Sequence, residues 1–212
     1  MALLTDKMIF MHLPKTGGTY ARAIMNSLAL NQNDILHVHC RFSDIPKDII
    51  DGIPDGVLVW GLVRHPLTWY QSRWAHRCAH GWIPENEFDY KCVSNDFNKF
   101  VNNCLDFYPT GFLAQEYANY FAGIPHRFKQ YIGRYEELDN SIKHALIESG
   151  TLYCESEYPE IMPVNVSMLD GLSSSEIAVY NEDTFNRVLD VERTVIDRYY
   201  SGLTPTFNTG DI

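Results

Sequence analysis

The sequence predicts an α/β fold, a mostly parallel central sheet flanked by helices in three layers, and three stretches predict it. Met8-Ile9-Phe10-Met11 is a short apolar run suited to a buried strand; a glycine-bearing loop follows, then Ala21 to Leu28 with apolar residues at helical spacing. Gly56 to Val63 is a second buried, β-branched run, and it leads to Pro66, well placed in the first turn of a helix where a missing N–H costs nothing. Phe128 to Tyr135 is a third strand, ending at Glu136-Glu137-Leu138. Asp139 or Asn140 opens the helix that follows, through Ile142, Ala145, Leu146 and Ile147 to Gly150. Strands alternating with helices imply right-handed crossovers and helices on both sheet faces.

The chain is long enough for one domain with a sizeable core. Its 212 residues are 45% hydrophobic and 13% aromatic, and no repeat, low-complexity tract or long linker divides them, so a single domain over 1–212 is expected. A formal net charge of −10 argues against broad attraction to nucleic acid, anionic membrane or a long polyanion, yet leaves room for a local basic pocket around Lys15, Arg64, Arg73 and Arg77. Residues 1–7 have no basic n-region and lead straight into the first strand, and no apolar run approaches the ~20 residues of a membrane span. The five cysteines are odd in number and lack CxxC spacing, which points to reduced thiols in a cytoplasmic protein. No metal is expected.

The loop between the first strand and helix reads His12-Leu13-Pro14-Lys15-Thr16-Gly17-Gly18-Thr19-Tyr20. Two adjacent glycines permit positive φ and close approach of a ligand to the backbone. The first helical N–H groups lack intrahelical partners, so together with the helix dipole they make an anion site, to which Lys15 adds full charge and Thr16 and Thr19 add hydroxyls. A phosphate suits it. The pattern is not G-x-x-x-x-G-K-[ST], because the lysine precedes the glycines and no glycine opens the loop, and this weakens an ordinary nucleoside-triphosphatase reading. A plain strand-to-helix turn with a Thr cap is the competing structural explanation.

Arg64 stands at the carboxyl end of the second strand, with Ser72 about two helical turns past Pro66. Ligands in open α/β sheets bind outside the strand carboxyl ends, so both loops should open on one edge.

Taken together, Pro14-Lys15-Thr16-Gly17-Gly18-Thr19 and Val63-Arg64-His65-Pro66, with Ser72 eight residues after Arg64, resemble the sulfotransferase family, in motif style the carbohydrate branch. The resemblance implies a domain that is P-loop-like at its first strand and binds 3′-phosphoadenosine 5′-phosphosulfate (PAPS). It implies that Lys15, Thr16, Gly17, Gly18 and Thr19 hold the 5′ end and that Arg64 and Ser72 hold the 3′-phosphate. Tyr20 falls where the family often has an aromatic residue near the adenine. Tyr135, in a strand ending Tyr-Glu-Glu, falls where a tyrosine reaches the cofactor, although a core tyrosine would look the same. Asn165-Val166-Ser167 matches an Asn-x-Ser recurrent in this branch, which implicates Asn165 and Ser167 in shaping the cofactor pocket. The motifs are well covered and Trp74 to Phe128 hardly at all.

Between the two motifs, Ile35, Leu36 and Val38 suggest a short extended segment in which His37 and His39 share a face. Sulfuryl transfer to a hydroxyl needs a base near neutral pH, which histidine supplies. The segment resembles the family's acceptor-activating stretch, making His39 the first candidate base and His37 the second. His12, in the strand directly before the loop, reads as a residue that packs or satisfies a backbone group. No Cys, Asp or Glu completes a metal site with His37 and His39.

The aromatics from Trp74 to Tyr108 either fill the core or line an acceptor pocket, with periodicity broken after Trp74 and a capped helix beginning near Asp96. Phe112 to Phe121 has helical spacing, as do Ser173 to Tyr180, with Glu176 placed for a capping box, and Glu182 to Tyr199. The resemblance implies a small-molecule or carbohydrate hydroxyl as acceptor. Two alternatives share the scaffold: a P-loop-type nucleotide or small-molecule kinase, disfavoured because the second strand ends in Arg64 rather than a Mg²⁺-binding carboxylate, and a non-catalytic nucleotide-binding protein.

Overall fold

The computed structural model describes residues 2–28, 33–36, 40–152, 154–159, 161, 168–169 and 172–203. Among them, five short strands form one sheet: β1 (Ala2–Leu4), β2 (Met8–Met11), β3 (Asn33–Leu36), β4 (Leu58–Val63) and β5 (Lys129–Arg134), ordered β3-β1-β2-β4-β5. β2, β4 and β5 are parallel neighbours, and β1 runs antiparallel to both β2 and β3. All strands except β1 therefore share a direction. The helices are α1 (Gly18–Ser27), α2 (Lys47–Asp51), α3 (Pro66–His80), α4 (Glu87–Cys92), α5 (Phe97–Phe107), α6 (Phe112–Tyr120), α7 (Leu138–Glu148), α8 (Ser174–Ile177), α9 (Glu182–Val191) and α10 (Arg193–Tyr199). A small strand pair, β6 (Met168–Leu169) and β7 (Leu172–Ser173), is antiparallel.

The chain groups into two compact units, Met1–Arg64 with Tyr117–Asn165, and His65–Glu116 with Val166–Ile212. In the first, period-2 alternation sends Met8, Phe10, Leu58, Trp60 and Leu62 to one sheet face, where they meet Ala21, Ile24 and Met25 of α1 and Ile142, Ala145 and Leu146 of α7. Both faces are covered, since Ile9, Met11, Val59 and Val63 are buried as well. Burying a side chain such as Phe10 or Ile24 contributes about 1.5–3 kcal/mol. The close contact of Phe10 with Trp60, ring centroids 4.4 Å apart, ties β2 to β4 at the layer beneath the loop. Ser141 of α7 donates to the Arg134 carbonyl at 3.0 Å and accepts from its N–H at 2.9 Å, pinning the end of β5.

The second unit is helical and aromatic. Trp69, Tyr70 and Trp74 of α3 pack among Phe88, Phe97 and Phe100, so within the Trp74–Tyr108 stretch Trp74, Phe88, Phe97 and Phe100 are core, Trp82 and Tyr108 are half-buried, and Tyr90 and Phe107 are exposed. His65 caps α3 by accepting from Leu67 N at 3.3 Å, with Pro66 at the first helical position as expected.

Five sequence expectations are corrected. The strand before the glycine loop is the second, not the first: Ala2–Leu4 already forms β1, joined to β2 through Thr5, whose N–H donates to Met8 O at 2.9 Å and whose hydroxyl accepts from Met8 N at 3.1 Å. Periodicity does not break after Trp74, because α3 continues to His80 and α4 follows. The helix expected from Asp139 or Asn140 starts at Leu138, with Glu137 at the N-cap position, and α8 ends at Ile177 rather than Tyr180, keeping its Ser173–Glu176 capping box. Finally, the helix expected over Glu182–Tyr199 is divided at Glu192. The carboxylate of Glu192 is buried and accepts from Leu113 N and Ala114 N at 3.0 Å each and from the Tyr70 hydroxyl at 2.8 Å. It thereby satisfies orphan N–H groups of α6. Burial raises its pKa against the pull of those hydrogen bonds.

Candidate functional site

The three parallel strands β2, β4 and β5 deliver their carboxyl ends to one edge of the first unit. Each continues into a residue singled out above: β2 into the Lys15–Gly18 loop, β4 into Arg64, β5 into Tyr135. The loop is built by two unusual backbone positions. Lys15 has φ 63°, a left-handed conformation that costs a non-glycine residue of order 1–2 kcal/mol, and Gly17, with φ 86°, caps α1. Gly17 has no side chain to cap the first turn, and that turn contains no acidic residue, so no side-chain cap and no carboxylate stand at the start of α1. The Thr16 hydroxyl is turned inward and donates to Leu13 O at 3.0 Å in a buried position, so it braces the loop. Thr19, in contrast, is exposed on the first turn.

Both glycines answer to close neighbours. A Cβ on Gly17 would sit 2.8 Å from Leu138 Cδ1 and 3.0 Å from Tyr135 Cδ2; one on Gly18 would sit 2.0 Å from His12 Cδ2. The imidazole of His12, stacked on Phe10 at 5.9 Å, lies directly on the start of α1. His12 thus packs here, one of the two roles expected from its place, and its ring explains why position 18 is glycine. Gly18→Ala is expected to lower stability by about 1–3 kcal/mol despite alanine's better helix propensity, because the ring must leave its place. Chemical denaturation checks this, and an unchanged or raised midpoint contradicts it.

Arg64 links the three loops. Its guanidinium donates from Nη1 to the Lys15 carbonyl at 3.3 Å and lies 4.0 Å from the Tyr135 ring centroid, a cation–π contact. Tyr135 in turn lies beside Gly17. The backbone of Arg64 is held by Tyr117 of α6, whose hydroxyl accepts from Arg64 N at 3.1 Å and donates to Arg64 O at 3.0 Å. Tyr117 escaped the sequence reading. Within a helical stretch it looks like any buried aromatic, and only the tertiary structure gives its hydroxyl a task.

Other candidates fall elsewhere. Tyr20 is 6% exposed, on the core face of α1 with Ala21, Ile24 and Met25, and its hydroxyl donates to Asp139 Oδ1 at 2.9 Å. Burial, then the Asp139 hydrogen bond and charge, raise its pKa. Tyr20 is thus held on the core side of α1, and its position one turn before Ile24 explains the burial. Tyr158 shares the same Asp139 oxygen at 3.0 Å. Ser72 belongs to the second unit, buried on α3. His37, His39, Asn165 and Ser167 lie outside the described residues. Among the described residues no group of three or more His, Cys, Asp or Glu could hold a metal, and no helix is long and apolar enough to cross a membrane.

The arrangement offers N–H donors, a lysine and an arginine at one strand edge, a donor set suited to phosphate or sulfate oxygens. No protein-family model, no curated protein and no solved structure matches the chain.

Proposed function

We propose that this chain is a PAPS-dependent sulfotransferase, built on a P-loop-like fold, that moves a sulfuryl group to a hydroxyl acceptor. One observation carries the reading: the Arg64 guanidinium bridges the Lys15 carbonyl and the Tyr135 ring at the shared strand edge. That sets a cation near a helix N-terminus that no side chain caps, so two anionic groups of a 3′,5′-bisphosphate would each find donors. The Arg64 guanidinium and the N–H groups of the first turn of α1 are donors, and that turn carries no carboxylate to oppose an anionic ligand, so these residues fit the nucleotide.

PAPS supplies an activated sulfuryl group with the 5′-phosphate as leaving group. In the transfer the bond from sulfur to the phosphate oxygen breaks, a bond from sulfur to the acceptor oxygen forms, and the acceptor proton passes to a base. Lys15 and the first N–H groups of α1 stabilise the charge that grows on the departing phosphate oxygen, more in the transition state than before it. His39 is the proposed base, with His37 as the alternative; Asn165 and Ser167 are proposed to shape the nucleotide pocket.

Transfer from labelled PAPS across a panel of carbohydrate and small alcohol acceptors tests the function, and absence of both transfer and nucleotide binding overturns it. Once an acceptor is in hand, His39→Ala should lower turnover by ~10²-fold or more with bisphosphate affinity nearly unchanged. The base acts unprotonated, so wild-type kcat/KM should fall on the acid side as the histidine gains its proton, and this limb should vanish in His39→Ala. Full activity in that variant transfers the role to His37.

A further inference from the structure

We infer that Tyr117 is a positioning residue that sets the selectivity of the nucleotide site for a 3′-phosphate, an inference that rests on the sulfotransferase reading. Arg64 follows the last ladder position of β4, where Val63 pairs with Arg134. Past a strand end, backbone N–H and C=O groups need other partners. At Arg64 one phenol serves both: the Tyr117 hydroxyl accepts from Arg64 N at 3.1 Å and donates to Arg64 O at 3.0 Å. The two peptide groups flanking the Arg64 Cα are held from one point, and that fixes where the side chain begins.

The consequence appears at the far end of the side chain. An arginine stem has many rotamers, and ordering it on ligand binding opposes affinity. Here its root is clamped by Tyr117, its plane rests on Tyr135 at 4.0 Å, and one N–H is directed to the Lys15 carbonyl at 3.3 Å. The planar fork that matches an oxyanion is thus assembled before the nucleotide arrives. Tyr117 is 2% exposed, so its hydroxyl acts on ligand only through Arg64. Phenylalanine would keep the ring in place and leave both Arg64 backbone groups without that partner.

The test is calorimetric titration of wild type and Tyr117→Phe with 3′-phosphoadenosine 5′-phosphate and with AMP. Tyr117→Phe should weaken the bisphosphate about 3–10-fold, the loss expected of a hydrogen bond, and leave AMP unchanged, so the selectivity ratio falls. Equal weakening of both nucleotides, or an undiminished ratio, overturns the inference while leaving the function intact. A wild-type protein without preference for the bisphosphate overturns the underlying reading instead. Should the variant not fold, hydrogen exchange on wild type decides: the Arg64 amide should exchange slowly and slow further with the bisphosphate but not with AMP. A rapidly exchanging Arg64 amide overturns the clamp.

Discussion

Lys15→Ala is expected to slow sulfuryl transfer by roughly 10²–10³-fold, the usual cost of removing one preorganised donor from developing negative charge. It should also raise the Kd for 3′-phosphoadenosine 5′-phosphate about 10–100-fold, since the charge-assisted bond proposed between Lys15 and the 5′-phosphate would be lost from the bound state too. The left-handed backbone at position 15 supplies a control. Its φ of 63° is strained for any residue with a Cβ, so Lys15→Gly should be as inactive as Lys15→Ala yet more stable, by up to about 1–2 kcal/mol. Stability and activity then move in opposite directions within one position. Turnover and thermal midpoint measured on both variants check it; retained activity in either variant removes the lysine from the chemistry.

Asp89→Ala is expected to be the most destabilising of the substitutions considered, by about 3–5 kcal/mol. Its carboxylate, wholly buried, receives Arg73 Nη2 at 2.7 Å and accepts from Ile83 N at 3.2 Å, while Arg77 Nε approaches Oδ2 at 2.7 Å as an ion pair rather than an aligned hydrogen bond. The two arginine side chains are only 13% and 9% exposed, so solvent screens them little. Burial lowers the Arg73 pKa, and the nearby Arg77 adds to that; Asp89 opposes both. Removing the carboxylate leaves two buried cations facing one another. Urea denaturation of wild type and Asp89→Ala measures the difference, and a loss below about 1 kcal/mol would mean that water already reaches the pair. Replacing Arg73 and Asp89 together by apolar residues should cost less than Asp89→Ala alone.

Much of the site's frame was legible from local pattern. Four apolar residues before a glycine pair, a β-branched run before Arg64 and a third run before Tyr135 each mark a strand, and their order marks the shared edge. β1 was not legible, because Ala2-Leu3-Leu4 has neither length nor β-branched character and becomes a strand only through the Thr5 turn onto β2. The division at Glu192 left a trace that could have been read: a carboxylate interrupts the stripe of Val188, Val191 and Val195, and a charge at a buried helical position needs partners. For Tyr20 the signal also existed, since its 3.6-residue spacing with Ile24 places it on the core face. Tyr117 and the His12–Gly18 contact had no local signal. A hydroxyl that holds a backbone 53 residues away, and a glycine demanded by a ring six residues earlier, exist only once the chain is folded.

The proposed function requires Arg64 and the loop around Lys15 to recognise a nucleotide with phosphate at both 3′ and 5′ positions. Titration calorimetry of the wild-type protein with 3′-phosphoadenosine 5′-phosphate and AMP, without added Mg²⁺, tests this most directly. The bisphosphate should bind more tightly than AMP by about 2–5 kcal/mol, and Arg64→Ala should erase that margin while leaving AMP nearly unaffected. Equal affinity for the two nucleotides in wild type would contradict the account.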